Sequence, residues 1–586
     1  MNERSDLQNQ ENESTNVTGA NRTLWAVIVG LAIVAGATAM VITFSPSSNG
    51  ENNGTQAKAP ETNSESTPAT AVAAADTKPA LTPPSPEEKS SIGANAKGEL
   101  PTAIPLDLNA SQAGERQDIP AHPDDLVFEP LVFSPPDSSE YRYELPGGIP
   151  VYMAPSSEFP LISLGLSFKG GRYLVDPGET GLSGAVGSLM RTGGAGVWSP
   201  SEIDEQLDFL ATQCSTGVSG TSSVASINCL KSNFDESLAI FMEILRNPAF
   251  DQARLDLWKE DMIESMKQRN DDADSVMRRE FRTIMSGDHY STRNPTADTI
   301  DAIDRDKLAA LHARIFHPGN LIVSVSGDFE PEAMLKKLSA AFEGWERGEA
   351  IPDEPAPDFA AMEGPGVYRI EKDIPQGKVM IGTRSITRDD PDYFTFLLMN
   401  EILGGGAFTS RITSRVRSDE GLAYSAGSAF QPSVEYPGIF VAFFQSKSPT
   451  VALANRIIFE EFDRIRNEEV SDEELETARQ SFIETFPQSF SSRDSMLGIF
   501  VDDEWTSRPD GYWDTYRDRI ATVTPEDIRR VARKYLDPEA MKVMVIGRWD
   551  DIYAGDENGR ATMNDIFDGQ SVEIPLRDPL TLETTP

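Results

Sequence analysis

The chain has 586 residues, 25% charged and 39% apolar, which is too long for a single hydrophobic core and balanced as globular units are. Its 52 basic residues against 93 acidic ones leave a net charge of −41, which excludes a nucleic-acid partner, because phosphates need basic patches. Cys214 and Cys229 are the two cysteines, too few for zinc-ribbon sites, and His122, His289, His312 and His317 include no His-x-x-x-His pair for a helical metal site.

Residues 1–23 are polar and carry Arg22 next to Leu24–Phe44, a run of 21 residues without a charge. As a helix that run spans about 31 Å, the thickness of a bilayer core. The next basic residue is Lys58, so the basic bias puts residues 1–23 in the cytoplasm and the rest outside. The expectation is a single-pass cell-membrane protein with an extracytoplasmic, periplasmic bulk. A cleaved signal peptide ending at Ala37-Thr38-Ala39 is the alternative, although the apolar run continues past it. Residues 45–126 are rich in Ser, Thr, Ala, Pro, Asn and Glu and poor in aromatics, the composition of a flexible tether.

Beyond Leu126-Val127-Phe128, strand-like runs alternate with amphipathic segments. Ser199-Pro200-Ser201-Glu202, Ser471-Asp472-Glu473-Glu474 and Thr524-Pro525-Glu526-Asp527 read as helix starts, each ahead of a 3.6-period apolar pattern. Ile303–Phe329 aligns without gaps on Val523–Trp549 at a constant offset of 220, each copy giving a helix, a proline turn and a buried strand ending at Gly327 or Gly547. Two repeated halves follow, 127–345 and 367–586, joined by an acidic, Pro-rich linker at 346–366, with a tail after Asp551. If Gly220–Ser223 turn a hairpin, Cys214 and Cys229 lie opposite one another; a disulfide or two buried thiols then both fit.

Gly404–Ser425 holds three glycines, then Arg411, Arg415 and Arg417, then Gly421 and a strand start at Leu422-Ala423-Tyr424. The glycines end one helix, and Thr409 or Ser410 caps the next. Arg417 offers a rigid fork of donors and Tyr424 an aromatic ring with one hydroxyl, a pair suited to gripping an extended peptide. A surface helix with solvated arginines and a core tyrosine is the plainer reading.

The repeat and this stretch, with Leu145-Pro-Gly-Gly-Ile-Pro-Val-Tyr152, Phe316-His-Pro-Gly-Asn320, Val325-Ser-Gly-Asp328 and Leu403-Gly-Gly-Gly406, resemble the insulinase-like zinc peptidases, the pitrilysin or M16 family, from Phe128 to Trp549. The resemblance implies an α+β fold of two repeated halves, each with a mostly antiparallel sheet and packed helices. It also implies that Arg417 and Tyr424 are the family's substrate-binding pair.

One departure is clear. Active members carry His-x-x-Glu-His, in which the histidines hold zinc and the glutamate activates water. Here the matching run is Gly181-Leu-Ser-Gly-Ala-Val-Gly-Ser-Leu-Met190, with Gly184 and Ser188 at the histidine positions and Gly187 at the base. Of the ligands only the distal glutamate has a counterpart, Glu264, so no zinc is expected on this chain. Gly181, Gly184 and Ser188 share one helix face, where small residues would let another element pack closely or open a peptide chamber. In the family's bacterial two-chain members one subunit holds the zinc and the other supplies the arginine–tyrosine pair. The resemblance therefore implies a membrane-anchored, non-catalytic subunit that binds peptide or protein substrate for a homologous partner bearing His-x-x-Glu-His and zinc. Within this reading Arg411 and Arg415 are expected to contribute little. The alternative is a non-proteolytic binding or scaffold module; a hydrolase with another catalytic set finds no Ser/His/Asp or Cys/His constellation.

Overall fold

In the computed structural model, residues 132–359 and 366–584 are described, so the expected anchor and tether lie outside the described residues. No helix among the described residues is long and apolar enough to cross a membrane. The fold is α+β, with two six-stranded sheets. The first runs, in spatial order, β1 (Arg142–Leu145), β2 (Ile149–Pro155), β6 (Leu321–Gly327), β3 (Leu161–Lys169), β5 (Ser222–Leu230) and β4 (Gln213–Val218). The second runs β12 (Val572–Glu573), β7 (Gly366–Glu371), β11 (Lys542–Gly547), β8 (Gln376–Arg384), β10 (Ile439–Lys447) and β9 (Ala423–Gln431). The order repeats, and so does the sense: β2–β6 and β7–β11 are parallel, while the next pairs outward, toward β4 and β9, are antiparallel. In β3 the alternation of Ile162, Leu164, Leu166 and Phe168 turns one face into the core, as period-two patterning requires.

The helices of the first half include α1 (Leu182–Thr192), α2 (Gln252–Lys267), α3 (Ala273–Ser286) and α4 (Arg305–Ile315). Those of the second include α5 (Tyr393–Asn400), α6 (Val451–Asn467), α7 (Asp472–Thr485), α8 (Arg493–Trp505) and α9 (Pro525–Tyr535). The aligned repeat falls on α4–β6 and α9–β11. All three capping boxes form: Ser199 with Glu202, Ser471 with Glu474 and Thr524 with Asp527 each exchange side-chain and backbone hydrogen bonds. Each contributes about 1 kcal/mol to its helix.

The halves interlock by exchanging helices. α3 of the first half buries Val276, Met277, Phe281 and Met285 against Ile370, Met544 and Ile546 of the second sheet. α8 of the second half returns the exchange, packing Leu497, Phe500 and Val501 on Tyr152, Ala154 and Ile322 of the first. Each sheet thus has its own helices on one face and a guest helix on the other, which is why β11 is buried at every residue. Glu504 of α8 locks the exchange, accepting from Arg142 Nε and Nη2 at 3.0 and 2.9 Å and from the Tyr152 hydroxyl at 2.6 Å.

Two expected connectors are part of the fold. The segment before residue 360 is strapped to both halves, since Tyr290 and Tyr436 both donate to Glu354. The tail after Asp551 pairs β12 with β7 and sends Arg577 back to Glu280 of α3 at 3.2 Å.

Candidate functional site

α1 carries the run that stands where a zinc helix would be. It buries Leu182, Ala185, Val186, Leu189 and Met190 and turns Gly184 and Ser188 outward. Of the close packing expected at Gly181, Gly184 and Ser188, only Gly181 shows it, where a Cβ would stand 2.6 Å from Ile300 Cδ1; the other tight approach on this helix lies at Gly187. A Cβ on Gly187 would stand 2.8 Å from Val218 N and 3.1 Å from Gly217 Cα, against the backbone of β4, whereas one on Gly184 would meet only Trp258 at 3.9 Å. Thr216 Oγ1 closes the contact by donating to the Gly187 carbonyl at 2.6 Å.

Zinc does not fit these residues. Gly184, Gly187 and Ser188 offer no imidazole or carboxylate, and Glu264 lies exposed on α2, paired with Lys267 at 2.8 Å. Among the described residues no group of three His, Cys, Asp or Glu could hold a metal ion. The described histidines are bound elsewhere: His289 to the Pro355 carbonyl and Ser291, His312 to the Leu245 carbonyl, and His317 to the Gly319 N–H.

The cysteines are not opposed. The hairpin turns at Ser219–Ser222, closed by Ser219 N–H to the Ser222 carbonyl at 2.8 Å and by the Ser219 hydroxyl to the same carbonyl at 2.7 Å. That register sets Cys214 opposite Ile227, while Cys229 faces Ile162 on β3. Both are free thiols, and burial pushes the Cys214 thiol up to about 11, which leaves it unreactive at neutral pH.

Among the described residues, Gly404–Ser425 carries the most exposed aromatic side chain, Tyr424. After α5 the chain widens into a broad helical turn, Glu401–Gly405, laid directly on β9. A Cβ at Gly404 would stand 2.4 Å from Ser428 N, so only glycine permits this approach. Ser410 begins a second helical segment, Arg411–Thr413, which continues as another wide turn over Ser414–Asp419. Such wide turns concentrate at functional sites. Gly421, at φ 62°, then reverses the chain into β9.

Arg417 and Tyr424 meet across that reversal. Arg417 Cζ sits 4.7 Å from the Tyr424 ring centroid and 4.6 Å from that of Phe408. Tyr424 is 84% exposed and Phe408 66%, so the guanidinium is held between two aromatic faces in the open. None of the hydrogen bonds or ion pairs among the described residues engages the donors of Arg417, which is half-buried. The register of β9 explains the tyrosine's position: Gln445 pairs with Ser425 and Ser446 with Ala423, so Tyr424 is the extra residue of a bulge. Bulges re-aim side chains in this way. β9 is also a sheet edge, hydrogen-bonded to β10 on one side.

Phe408 has no counterpart in the sequence reading; its signal is an aromatic residue beside the glycines. Ala407 before it is held at φ 46°, a left-handed conformation that costs about 1–3 kcal/mol in a non-glycine residue. The other two arginines are both held by carboxylates. Arg411 is 6% exposed and forks onto Glu474 at 2.6 and 2.9 Å. Arg415 bonds Glu461 and Glu460, both at 2.9 Å. Burial pushes the Glu474 carboxyl up, but Arg411 and the Ser471 N–H outweigh it and hold it at about 2.

Comparison with known proteins agrees with the fold. A family model described as peptidase M16 inactive domain matches residues 302–482. The chain is 24% identical over 354 residues to a Helicobacter pylori protein named non-peptidase homolog YmxG, covering 59% of this chain and 80% of that one. It is 24% identical over 309 residues to an uncharacterized zinc protease of Streptomyces coelicolor, covering 51% of this chain and 66% of the relative, just under two thirds of its length. Among solved structures, a peptidase M16 inactive domain from Pseudomonas fluorescens superposes with a TM-score of 0.62 at 22% identity, over 69% of this chain and 97% of that one, a likeness of fold. Residues 302–482 thus match the M16 inactive-domain model, and with its repeated halves and glycine or serine where zinc ligands would stand the chain is similar to the M16 peptidase relatives that lack a peptidase site.

Proposed function

We propose that this chain is the non-catalytic subunit of a membrane-tethered, extracytoplasmic M16 peptidase, which presents Arg417 and Tyr424 to peptide bound in the active site of a zinc-bearing partner. The observation that carries the reading is the Arg417 guanidinium, held between Phe408 and Tyr424 beside an open sheet edge with its donors unengaged. A structural arginine is spent on protein acceptors, as Arg411 and Arg415 are. An arginine kept rigid and unspent suits an incoming carbonyl or carboxylate. The zinc belongs to the partner, a homologous chain with His-x-x-Glu-His, and this chain holds none. Leu24–Phe44 supports the tether and the extracytoplasmic location. The name non-peptidase homolog given to the Helicobacter pylori relative accords with a subunit that does no chemistry itself.

The test is peptide cleavage by the co-purified pair. Arg417 and Tyr424 would orient the scissile peptide and stabilise charge on its carbonyl oxygen, and losing one such donor costs about 10²–10³ in rate. Arg417→Ala with Tyr424→Phe is expected to lower cleavage by about that factor while size-exclusion chromatography shows the complex intact. Unchanged cleavage would remove the shared site and leave a scaffold role in its place.

A further inference from the structure

The helix exchange is symmetric in backbone but not in side chains, and the difference opens a cleft in the first half. Strand register carries the 220-residue repeat across both sheets. Ser326 pairs with Ser163 as Ile546 pairs with Lys378, and Ser324 pairs with Gly165 as Met544 pairs with Met380. On the guest helices the same offset matches Phe281 of α3 with Val501 of α8, Asp274 with Asp494 and Arg282 with Asp502.

In the second half these positions fill the space between sheet and guest helix. Phe281, Met380, Met544 and Ile546 belong to one apolar cluster, and Lys378 Nζ reaches Asp274 of the guest helix at 2.5 Å. In the first half the counterparts of the last three are Gly165, Ser324 and Ser326, and Val501 replaces the phenylalanine. The result is a cleft of about 640 Å³ lined by these residues, the size of a small-molecule site. The charges change as well. Asp494 has Ser163 where Asp274 has a lysine, and among the described residues its hydrogen-bond partner is the Ser326 hydroxyl. Asp502 stands where the other half carries Arg282. Its nearest cation, Arg508, lies at 4.0 Å and is engaged with Asp503 at 2.6 Å. Lys169, the cation in the cleft wall, is paired with Asp353 at 2.8 Å. Trp505 lines the same cleft, and its buried Nε1 has no acceptor among the described residues.

We propose that this cleft binds an organic polycation, one ammonium or guanidinium seated on Asp494 where the second half carries its own Lys378 ammonium, and a second reaching Asp502. The two carboxylates are two turns apart on α8, so the cationic groups must stand about 12 Å apart. The hydroxyls of Ser163, Ser324 and Ser326 take the remaining N–H donors. Such groups occur in free polyamines and in peptides with two basic side chains.

The experiment is isothermal titration of the full-length chain without any partner, so its outcome is separate from that of the proposed proteolytic role. The probes are spermidine, an acetylated Lys-Ala-Ala-Lys amide and the same peptide with norleucine for lysine. Saturable binding of spermidine alone identifies a free polyamine, and binding of the lysine peptide but not its norleucine analogue identifies a peptide; either supports the site. Ser163→Lys supplies an internal ammonium to Asp494 and is expected to weaken binding about tenfold or more. Asp494→Asn with Asp502→Asn is expected to do the same without adding volume, with thermal melts reporting that each variant is folded. No saturable binding of any probe would overturn the proposal. Equal binding of the norleucine peptide, or wild-type affinity in both folded variants, would overturn it too.

Discussion

Adding one methyl group to α1 at two positions three residues apart should have opposite effects. Glycine in a helix interior costs about 1 kcal/mol relative to alanine, largely through the freedom it gives the unfolded chain. At Gly184 the new Cβ meets only Trp258, at an ordinary contact distance of 3.9 Å, so Gly184→Ala should stabilise by about 0.5–1 kcal/mol. At Gly187 the same methyl enters within 2.8 Å of Val218 N and 3.1 Å of Gly217 Cα, which are backbone atoms and cannot swing aside. Overpacking of this kind costs about 1–3 kcal/mol, which exceeds the helix gain, and Gly187→Ala should be destabilising. It should also weaken the Thr216 bond to the Gly187 carbonyl. Urea unfolding followed by circular dichroism reads both changes. Stabilisation by Gly187→Ala, or equal effects at the two sites, would refute the packing described here. The same geometry explains why restoring Glu at 187 and His at 184 and 188 cannot rebuild a metal site without moving β4.

Arg411→Ala should destabilise by about 3 kcal/mol, the low end for breaking a buried pair, because Glu474 keeps its bonds to Ser471. Since the Glu474 carboxyl is held low, the stability it contributes is present above the ordinary glutamate range and lost as pH falls through about 2, so the cost of Arg411→Ala should shrink in acid melts. Burial pushes Asp502 up to about 6, opposed by Arg508 and reinforced by Asp503. Its contribution is therefore complete below the ordinary aspartate range and lost as pH rises through about 6. Asp502→Asn should stabilise by about 1–3 kcal/mol at pH 7 and by little at pH 4, measured as paired thermal melts.

What the sequence displays depends on the range of the interaction. The three capping boxes and the α4–β6 and α9–β11 repeat are local patterns, and they stand where the residues put them. Arg417 and Tyr424 are legible because one turn at Gly421 joins them. The cysteine register is not, since moving the turn by one residue, from 220–223 to 219–222, shifts every partner by two while leaving side chains on the same faces. Arg411 and Arg415 read as solvated because Glu474, Glu460 and Glu461 come from helices far along the chain. Phe408 escaped because cation–π stacking has no fixed spacing. The helix exchange, and with it the cleft at Asp494 and Asp502, emerges only when both sheets are in place.

The central claim is that this chain lends a peptide-binding pair to a partner's zinc site and does no chemistry alone. The direct measurement is turnover of a peptide substrate by three preparations: this chain, a homologous chain bearing His-x-x-Glu-His, and the two combined. The account predicts no cleavage by this chain, slow cleavage by the partner, and a rise of about 10²–10³ on combination, lost again with Arg417→Ala and Tyr424→Phe. Cleavage by this chain alone, or a combined rate no greater than the partner's own, would contradict it.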